Sequence, residues 1–243
     1  MSLNIILIGY GRMGREVEQT AKARGHNILS CIDSASDWEK STALFTQAHV
    51  AVDFSLPELA NENILRCFNL GLPIVVGTTA WYHQLENIRQ QCLNGGHSLF
   101  YAPNFSLGMN IVFNLNKQLA RLLNHTDYKL SITETHHKHK LDAPSGTAIH
   151  LAGQITGLVD RYVGWSDAAD QDISLLPVVS VRTGEVPGTH EIIADSAQDT
   201  IRIIHEAKGR QGFALGAVLA AEFLAGRIGV FTMDDLLDTL LRE

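Results

Sequence analysis

The segment Glu134-Thr-His-His-Lys-His-Lys-Leu-Asp-Ala-Pro-Ser-Gly-Thr147 places three histidines and two lysines within residues 136–140, in a chain whose formal net charge is -7. Histidine changes charge near physiological pH, so His136 or a neighbour can pass a proton to a reacting group. Lys140 can balance a bound anion. The predicted helix over 148–156 follows Ser145-Gly146-Thr147, so Gly146 and Thr147 would offer backbone amides at a helix start, where a carboxylate is welcome. Two other readings of the same residues stand beside this one. The segment could be a solvated basic loop. It could also hold zinc through His136, His137 and His139, although interleaved lysines repel a cation and no HExxH or cysteine partner accompanies them. The prediction is no metal.

A second constellation opens the chain. Gly9-Tyr10-Gly11-Arg12-Met13-Gly14 is G-x-G-x-x-G, placed between an apolar strand-like run and a helical run. In that context the glycines permit a tight turn, backbone approach to a pyrophosphate and close helix packing. Asp33 follows nineteen residues after Gly14, where a carboxylate receives the ribose hydroxyls of a bound dinucleotide. Two further loops, Gly77-Thr78-Thr79 and Ala102-Pro103-Asn104-Phe105, fall at predicted strand ends, where open α/β sheets bind ligands. Read blandly, they are strand-to-helix connections with Thr79 as a helix cap. The remaining histidines stand singly and read as structural or exposed. Arg182, Arg202, Lys208 and Arg210 could add to an anion site but read mainly as strand-edge charge. Cys31, Cys67 and Cys92 lack a CxxC pair or a basic neighbour and read as inert thiols.

The elements that must carry these motifs are legible from periodicity. Apolar strands over 4–8, 27–32, 49–54, 73–76 and 98–101 alternate with helices over 12–24, 57–70 and 81–92, the pattern of a parallel sheet covered on both faces. Pro57 suits the first turn of its helix. After Asn104 the pattern changes to a long helix over 107–123, then strands over 128–135, 175–182, 190–194 and 200–205 with alternating faces. Helices over 213–224 and 234–241 close the chain. The fold class is therefore α/β: an N-terminal Rossmann-type dinucleotide-binding domain (residues 1–106 and 217–243) and a second α+β domain with a mixed sheet (residues 107–216). Hydrophobic residues at 45% and charged residues at 19% exclude a disordered chain. The acidic balance argues against a nucleic-acid or anionic-membrane partner, and no apolar run is long enough for a membrane span. The three scattered cysteines and the lack of an export pattern fit a cytoplasmic setting.

Together, GYGRMG, VDFS at Val52, GTT at Gly77, APNFSLGMN at Ala102, ETHHKHKLDAPSGTA at Glu134, VRTGEVPGTHEI and IHEAKGRQGFALGA resemble the dihydrodipicolinate reductase family. The similarity runs from about residue 3 to 241. The resemblance implies a cytoplasmic homotetrameric enzyme of the diaminopimelate route to lysine, reducing a cyclic dicarboxylate imine with NADH or NADPH. It places acid/base catalysis on His136 and proton donation on Lys140. Substrate binding falls to His137, Gly146 and Thr147 of the second domain, which would also carry oligomerisation. Cofactor contacts fall to Ile8, Gly9, Tyr10, Gly11, Arg12, Met13, Asp33, Gly77, Thr78, Thr79, Ala102, Pro103, Asn104 and Phe105. Members that use NADPH well often carry arginine after the strand-ending acid. Here Ser34 follows Asp33, so NADH is expected to serve at least as well. The competing functions are another two-domain NAD(P) dehydrogenase and an NADH-binding redox sensor, neither of which needs the histidine-lysine segment.

Overall fold

A computed structural model describes residues 2–167 and 172–240. The chain runs β1 (Asn4–Ile8), α1 (Arg12–Ala23), β2 (Asn27–Ile32), α2 (Ala35–Lys40), β3 (Val50–Asp53), α3 (Pro57–Asn69), β4 (Ile74–Val76), α4 (Leu85–Gly95) and β5 (Ser98–Tyr101). It continues with α5 (Leu107–Leu123), β6 (Lys129–His136), α6 (Gly146–Thr156), β7 (Gly164–Asp167), β8 (Leu175–Arg182), β9 (Thr189–Asp195) and β10 (Thr200–Glu206). The last elements are α7 (Gln211–Leu224), β11 (Gly229–Phe231) and α8 (Met233–Leu240). These divide into two compact units, residues 1–107 with 210–243, and residues 108–209.

In the first unit six parallel strands lie in the order β11-β5-β4-β3-β1-β2. Successive strand residues point to opposite faces, and both faces are apolar. Ile5, Leu7, Val52 and Val75 pack with α1 and α7, while Ile6, Ile8, Ile74 and Val76 pack with Ile64 and Cys67 of α3 and Ile88 and Cys92 of α4. The face of α7 turned to the sheet is built from small residues, Ala214, Gly216, Ala217, Ala220 and Ala221. At Gly216 a Cβ atom would stand 1.7 Å from the carbonyl oxygen of Phe105, so this helix meets the loop after β5 backbone to backbone. Arg24 donates to both carboxylate oxygens of Glu222 at 2.8 Å, and His26 joins the same group at 2.7 Å, fastening α7 to the end of α1.

In the second unit the strand order is β10-β9-β6-β8-β7, with β9 antiparallel to β6 and β10, and β8 parallel to β6 and β7. Leu130, Ile132, Leu176, Val178, Ile192 and Ala194 pack against α5 and α6 through Met109, Phe113, Leu151 and Ile155.

Several elements differ from the sequence expectation. Residues 35–40 form α2 and residues 42–47 a 3-10 segment, both too short to show periodicity. The helix expected over 81–92 is a 3-10 turn at Tyr82–Gln84 followed by α4. Trp81 precedes that turn, and Thr79 caps no helix. β7 and β11, four and three residues long, are edge strands with Gly164 and Gly229 at their starts and no alternation to read. The return to the first unit comes at Arg210 and not at residue 217, because α7 is continuous from Gln211. Leu241, the expected end of the last helix, lies outside the described residues.

Candidate active site

The glycine loop lies between β1 and α1. Gly9 donates its amide to the Ile32 carbonyl at 2.8 Å and Tyr10 donates to Oδ1 of Asp33 at 2.9 Å. The loop is thereby tied to the end of β2, with Asp33 exposed beside it. Gly11 caps α1 without a side-chain hydrogen bond, and nothing lies within 4 Å of where its Cβ would be. Space is thus free beside Gly11 at the start of α1, and the amides of a helix start are the donors a pyrophosphate needs. These residues fit a dinucleotide. Arg12 is exposed, Met13 is half-buried, and Ile8 belongs to the core under the loop.

Asp53 ends β3 fully buried and organises the neighbouring loop. Its Oδ1 accepts from Ser55 N at 2.7 Å and Thr78 Oγ1 at 2.9 Å, and its Oδ2 from Asn63 Nδ2 at 3.0 Å. Burial pushes its carboxyl pKa upward against these hydrogen bonds. The Thr78 hydroxyl therefore points inward, while the Thr79 backbone and side chain lie at the surface. The Trp81 indole donates to the Thr78 carbonyl at 2.8 Å. In the loop after β5, Asn104 accepts from Ser106 N at 2.8 Å, Pro103 is exposed, and Ala102 and Phe105 are buried.

In the second unit β6 alternates, so Leu130, Ile132, Glu134 and His136 share its helix-covered face. Cross-strand register sets Ser180 of β8 and His190 of β9 beside Glu134, and Arg182 of β8 beside His136. Glu134 is completely buried. It is hydrogen-bonded to Nδ1 of His136, receives Arg182 Nη2 at 2.7 Å and receives Ser145 N at 3.3 Å. The His136 and His190 rings meet edge to face, with centroids 5.2 Å apart. Ser145 Oγ caps α6 by accepting from Ala148 N at 3.2 Å and contacts His190 Nε2 at 3.1 Å. Lys140 reaches both oxygens of Asp142 at 2.8 Å, and Arg182 Nη2 also donates to the Asp142 carbonyl at 2.7 Å. His137 and Thr147 are half-buried and Gly146, the first residue of α6, is exposed.

Burial would raise the Glu134 pKa, but its hydrogen bonds, foremost that from Arg182, hold it below the usual carboxylate range. Burial lowers the pKa of His136, helped by the positive charges of Lys140 and Arg182 and opposed by Glu134. Burial, with His136 next to it, brings His190 down to about 4. Between pH 6.5 and about 4 the unfolded chain then binds a proton at His190 that the folded chain refuses. Stability present above that window is lost as pH falls through it, on the order of 3 kcal/mol. Thermal melts from pH 7 to 4.5 should show a smaller loss of Tm for His190→Gln than for the wild type. Equal slopes would refute the assignment.

His136, His137 and His139 do not converge as a metal triad. His139 is exposed, 3.8 Å from Glu185. The donor atoms that do converge, from Glu134, His136 and His190, lie within 4.8 Å of one another. Arg182 already balances the only negative charge among them, and a cation would be repelled by its guanidinium.

The sequence gives no site role to Glu134, Ser145 or His190, and Arg182 reads there mainly as strand-edge charge. Glu134 could have been found as the same-face neighbour of His136 two residues back. Arg182 and His190 arrive by strand register, which no local pattern discloses.

The N-terminal family model described as dihydrodipicolinate reductase, N-terminus, matches residues 3–105, and that described as dihydrodipicolinate reductase, C-terminus, matches residues 108–237. A 4-hydroxy-tetrahydrodipicolinate reductase of Christiangramia forsetii is 45% identical, aligned over 99% of this chain and 100% of its own length. Among solved structures, a dipicolinate-bound dihydrodipicolinate reductase from Paenisporosarcina sp. TG-14 superposes with a TM-score of 0.80 at 20% identity, covering 96% of this chain and 98% of the other. An engineered D-amino acid dehydrogenase bound to NADP+ shares the fold at a TM-score of 0.56 and 15% identity, covering 100% and 99% of the two chains. The open glycine loop and the buried histidine cluster thus lie in the two matched regions, and the chain belongs to the dihydrodipicolinate reductase family of lysine and diaminopimelate biosynthesis.

Proposed function

We propose that this chain reduces the cyclic dicarboxylate of its family with a nicotinamide dinucleotide, that His136 and Lys140 supply the proton, and that the first turn of α6 holds a carboxylate. The observation that carries the reading is the buried His136, set beside the cations Arg182 and Lys140 near the start of α6. Support for the cofactor comes from the open first turn of α1 and from Asp33, held by the Tyr10 amide at 2.9 Å. The dinucleotide supplies a hydride when bound. The reduced ring then lacks a proton, and a histidine with a lowered pKa releases one readily once charged. Lys140, balanced by Asp142, is the second donor. His137, Gly146 and Thr147 bind the dicarboxylate, the latter two through amides that carry the partial positive charge of the helix start. The turnover assay follows the loss of reduced-nicotinamide absorbance with the imine precursor formed in situ from pyruvate and aspartate semialdehyde. Binding of NADH without turnover would move the assignment to a sensor or another dehydrogenase.

For the adenosine end, we infer that NADH serves at least as well as NADPH. Asp37 Oδ2 accepts from Asp33 N at 3.2 Å and from Ser34 Oγ at 2.7 Å, so two carboxylates stand at the turn after β2. A 2'-phosphate there would meet negative charge. Ser34→Arg should raise the NADPH to NADH ratio of kcat/KM by about tenfold or more, and a wild-type enzyme strongly selective for NADPH would overturn the inference. The further reading is a cytoplasmic homotetramer. No helix among the described residues is long and apolar enough to cross a membrane. The second sheet is packed by α5 and α6 on the face of Leu130 and Ile132, and by alternation its other face carries Leu175, Pro177, Val179 and Ile193, side chains suited to contact between copies.

A further inference from the structure

Glu134 has no part in the roles given above, yet among the described residues it is the most completely enclosed charged group of the second unit, at 0% exposure. Hydrogen bonds reach it from three elements. His136 approaches through Nδ1 from the same strand, Arg182 Nη2 from β8 at 2.7 Å, and Ser145 N from the start of α6 at 3.3 Å. An ionised carboxylate only accepts, so Nδ1 of His136 must carry the hydrogen. Nε2 is then the nitrogen left to exchange a proton. It faces Gly188, where a Cβ would lie 2.9 Å from Nε2 and where φ is +153°, a conformation that favours glycine. The ring is thus held at Nδ1 by a carboxylate, and at Nε2 it meets a glycine where a side chain would crowd it.

We propose that Glu134 is the positioning residue of His136, fixing the Nδ1–H tautomer and ring orientation so that Nε2 is the proton-exchanging atom, with Arg182 holding Glu134 ionised. The inference rests on the reading of His136 as a proton donor. The charged and titratable groups around the ring are Glu134 on its own strand, Arg182 from β8, His190 from β9 and Lys140 from the loop after β6. Burial, Lys140 and Arg182 all push against a charged imidazole, and Glu134 is the one group among these that favours it. Removing its charge moves the His136 titration to lower pH. It also frees the ring to exchange tautomers, because a glutamine in its place can either donate or accept.

The test is nitrogen NMR of the full chain labelled in histidine, with His136→Gln identifying the resonances, alongside pH profiles of kcat. The wild type at neutral pH should show His136 as the Nδ1–H tautomer, with Nε2 unprotonated. Glu134→Gln should shift the His136 titration and the matching limb of kcat to lower pH, and lower kcat by about tenfold or more, with KM for NADH unchanged. Glu134→Asp, which keeps the charge, should return the limb toward the wild type. An Nε2–H tautomer in the wild-type protein would overturn the proposal without any variant. So would a Glu134→Gln enzyme whose His136 spectrum and pH limb stay in place. Spectral changes as expected, with turnover surviving His136→Ala, would uphold the positioning by Glu134 and remove His136 from the proton step.

Discussion

Replacing His136 by alanine is expected to lower kcat by about 10²- to 10⁴-fold, the usual range for a lost general acid, with NADH binding nearly unchanged. The expectation comes from where the ring sits. His136 is buried at the end of β6, and the dinucleotide motif belongs to a different unit, so truncating the ring leaves the glycine loop and Asp33 intact. Lys140→Ala should behave similarly in kind. Because Lys140 balances Asp142 at 2.8 Å and lies on the loop that leaves β6, its loss should also weaken binding of the dicarboxylate. Stopped-flow measurement of NADH binding and of turnover separates the two effects. If His136→Ala keeps more than about a tenth of wild-type kcat, the proton comes from elsewhere. If cofactor binding collapses with turnover, the variant has lost structure and the comparison passes to His136→Gln.

The second large effect is structural. Alanine is the better helix former by about 1 kcal/mol, so Gly216→Ala in the middle of α7 would ordinarily stabilise the helix. Here the added methyl would lie 1.7 Å from the Phe105 carbonyl oxygen, deep inside any permitted contact. Neither partner yields easily, since the obstacle is backbone and Phe105 is itself buried against Phe54 and Phe100. Overpacking of this severity should outweigh the propensity gain and destabilise by about 3 kcal/mol or more. For a chain of this size that corresponds to a fall in Tm of roughly 6–12 °C. Phe105 ends one of the loops assigned to the dinucleotide, so the KM for NADH should rise as well. An unchanged or raised Tm would mean that α7 does not approach the loop this closely.

Much of the fold is legible in the sequence, for a definite reason. β1, β3, β4 and β5 are buried on both faces and read as largely apolar runs. Long helices such as α5 show their period over several turns, and the glycine motif is tied to local geometry. The elements that the sequence did not disclose are short pieces. α2, β7 and β11 are held by their neighbours and carry too few residues for a period to show. The candidate site divides in the same way. His136, Lys140, Gly146 and Thr147 lie in one contiguous segment and could be seen there. Arg182 and His190 enter only because β8 and β9 flank β6 in a particular register. Thr78 shows a subtler gap. Its place in the chain fits a ligand loop, but its hydroxyl is turned to Asp53, and a buried acid twenty-five residues away is not visible from the loop alone.

The late return of α7 to the first sheet bears on the order in which a ribosome can complete the two halves. The apolar face formed by Leu3, Leu7, Val52 and Val75 is covered by Ala214, Ala217, Val218 and Leu224, which are translated only after the whole of residues 108–209. At ordinary elongation rates the intervening stretch occupies on the order of ten seconds. Throughout that interval the nascent first sheet has only α1, through Val17 and Ala21, on that oily face, and the part that α7 will cover stays open. The second core draws all its buried members from residues 109–194, so it can close as soon as its own segment has emerged. The half that begins first is therefore the half that finishes last, and it is the one that would lean on a chaperone while it waits.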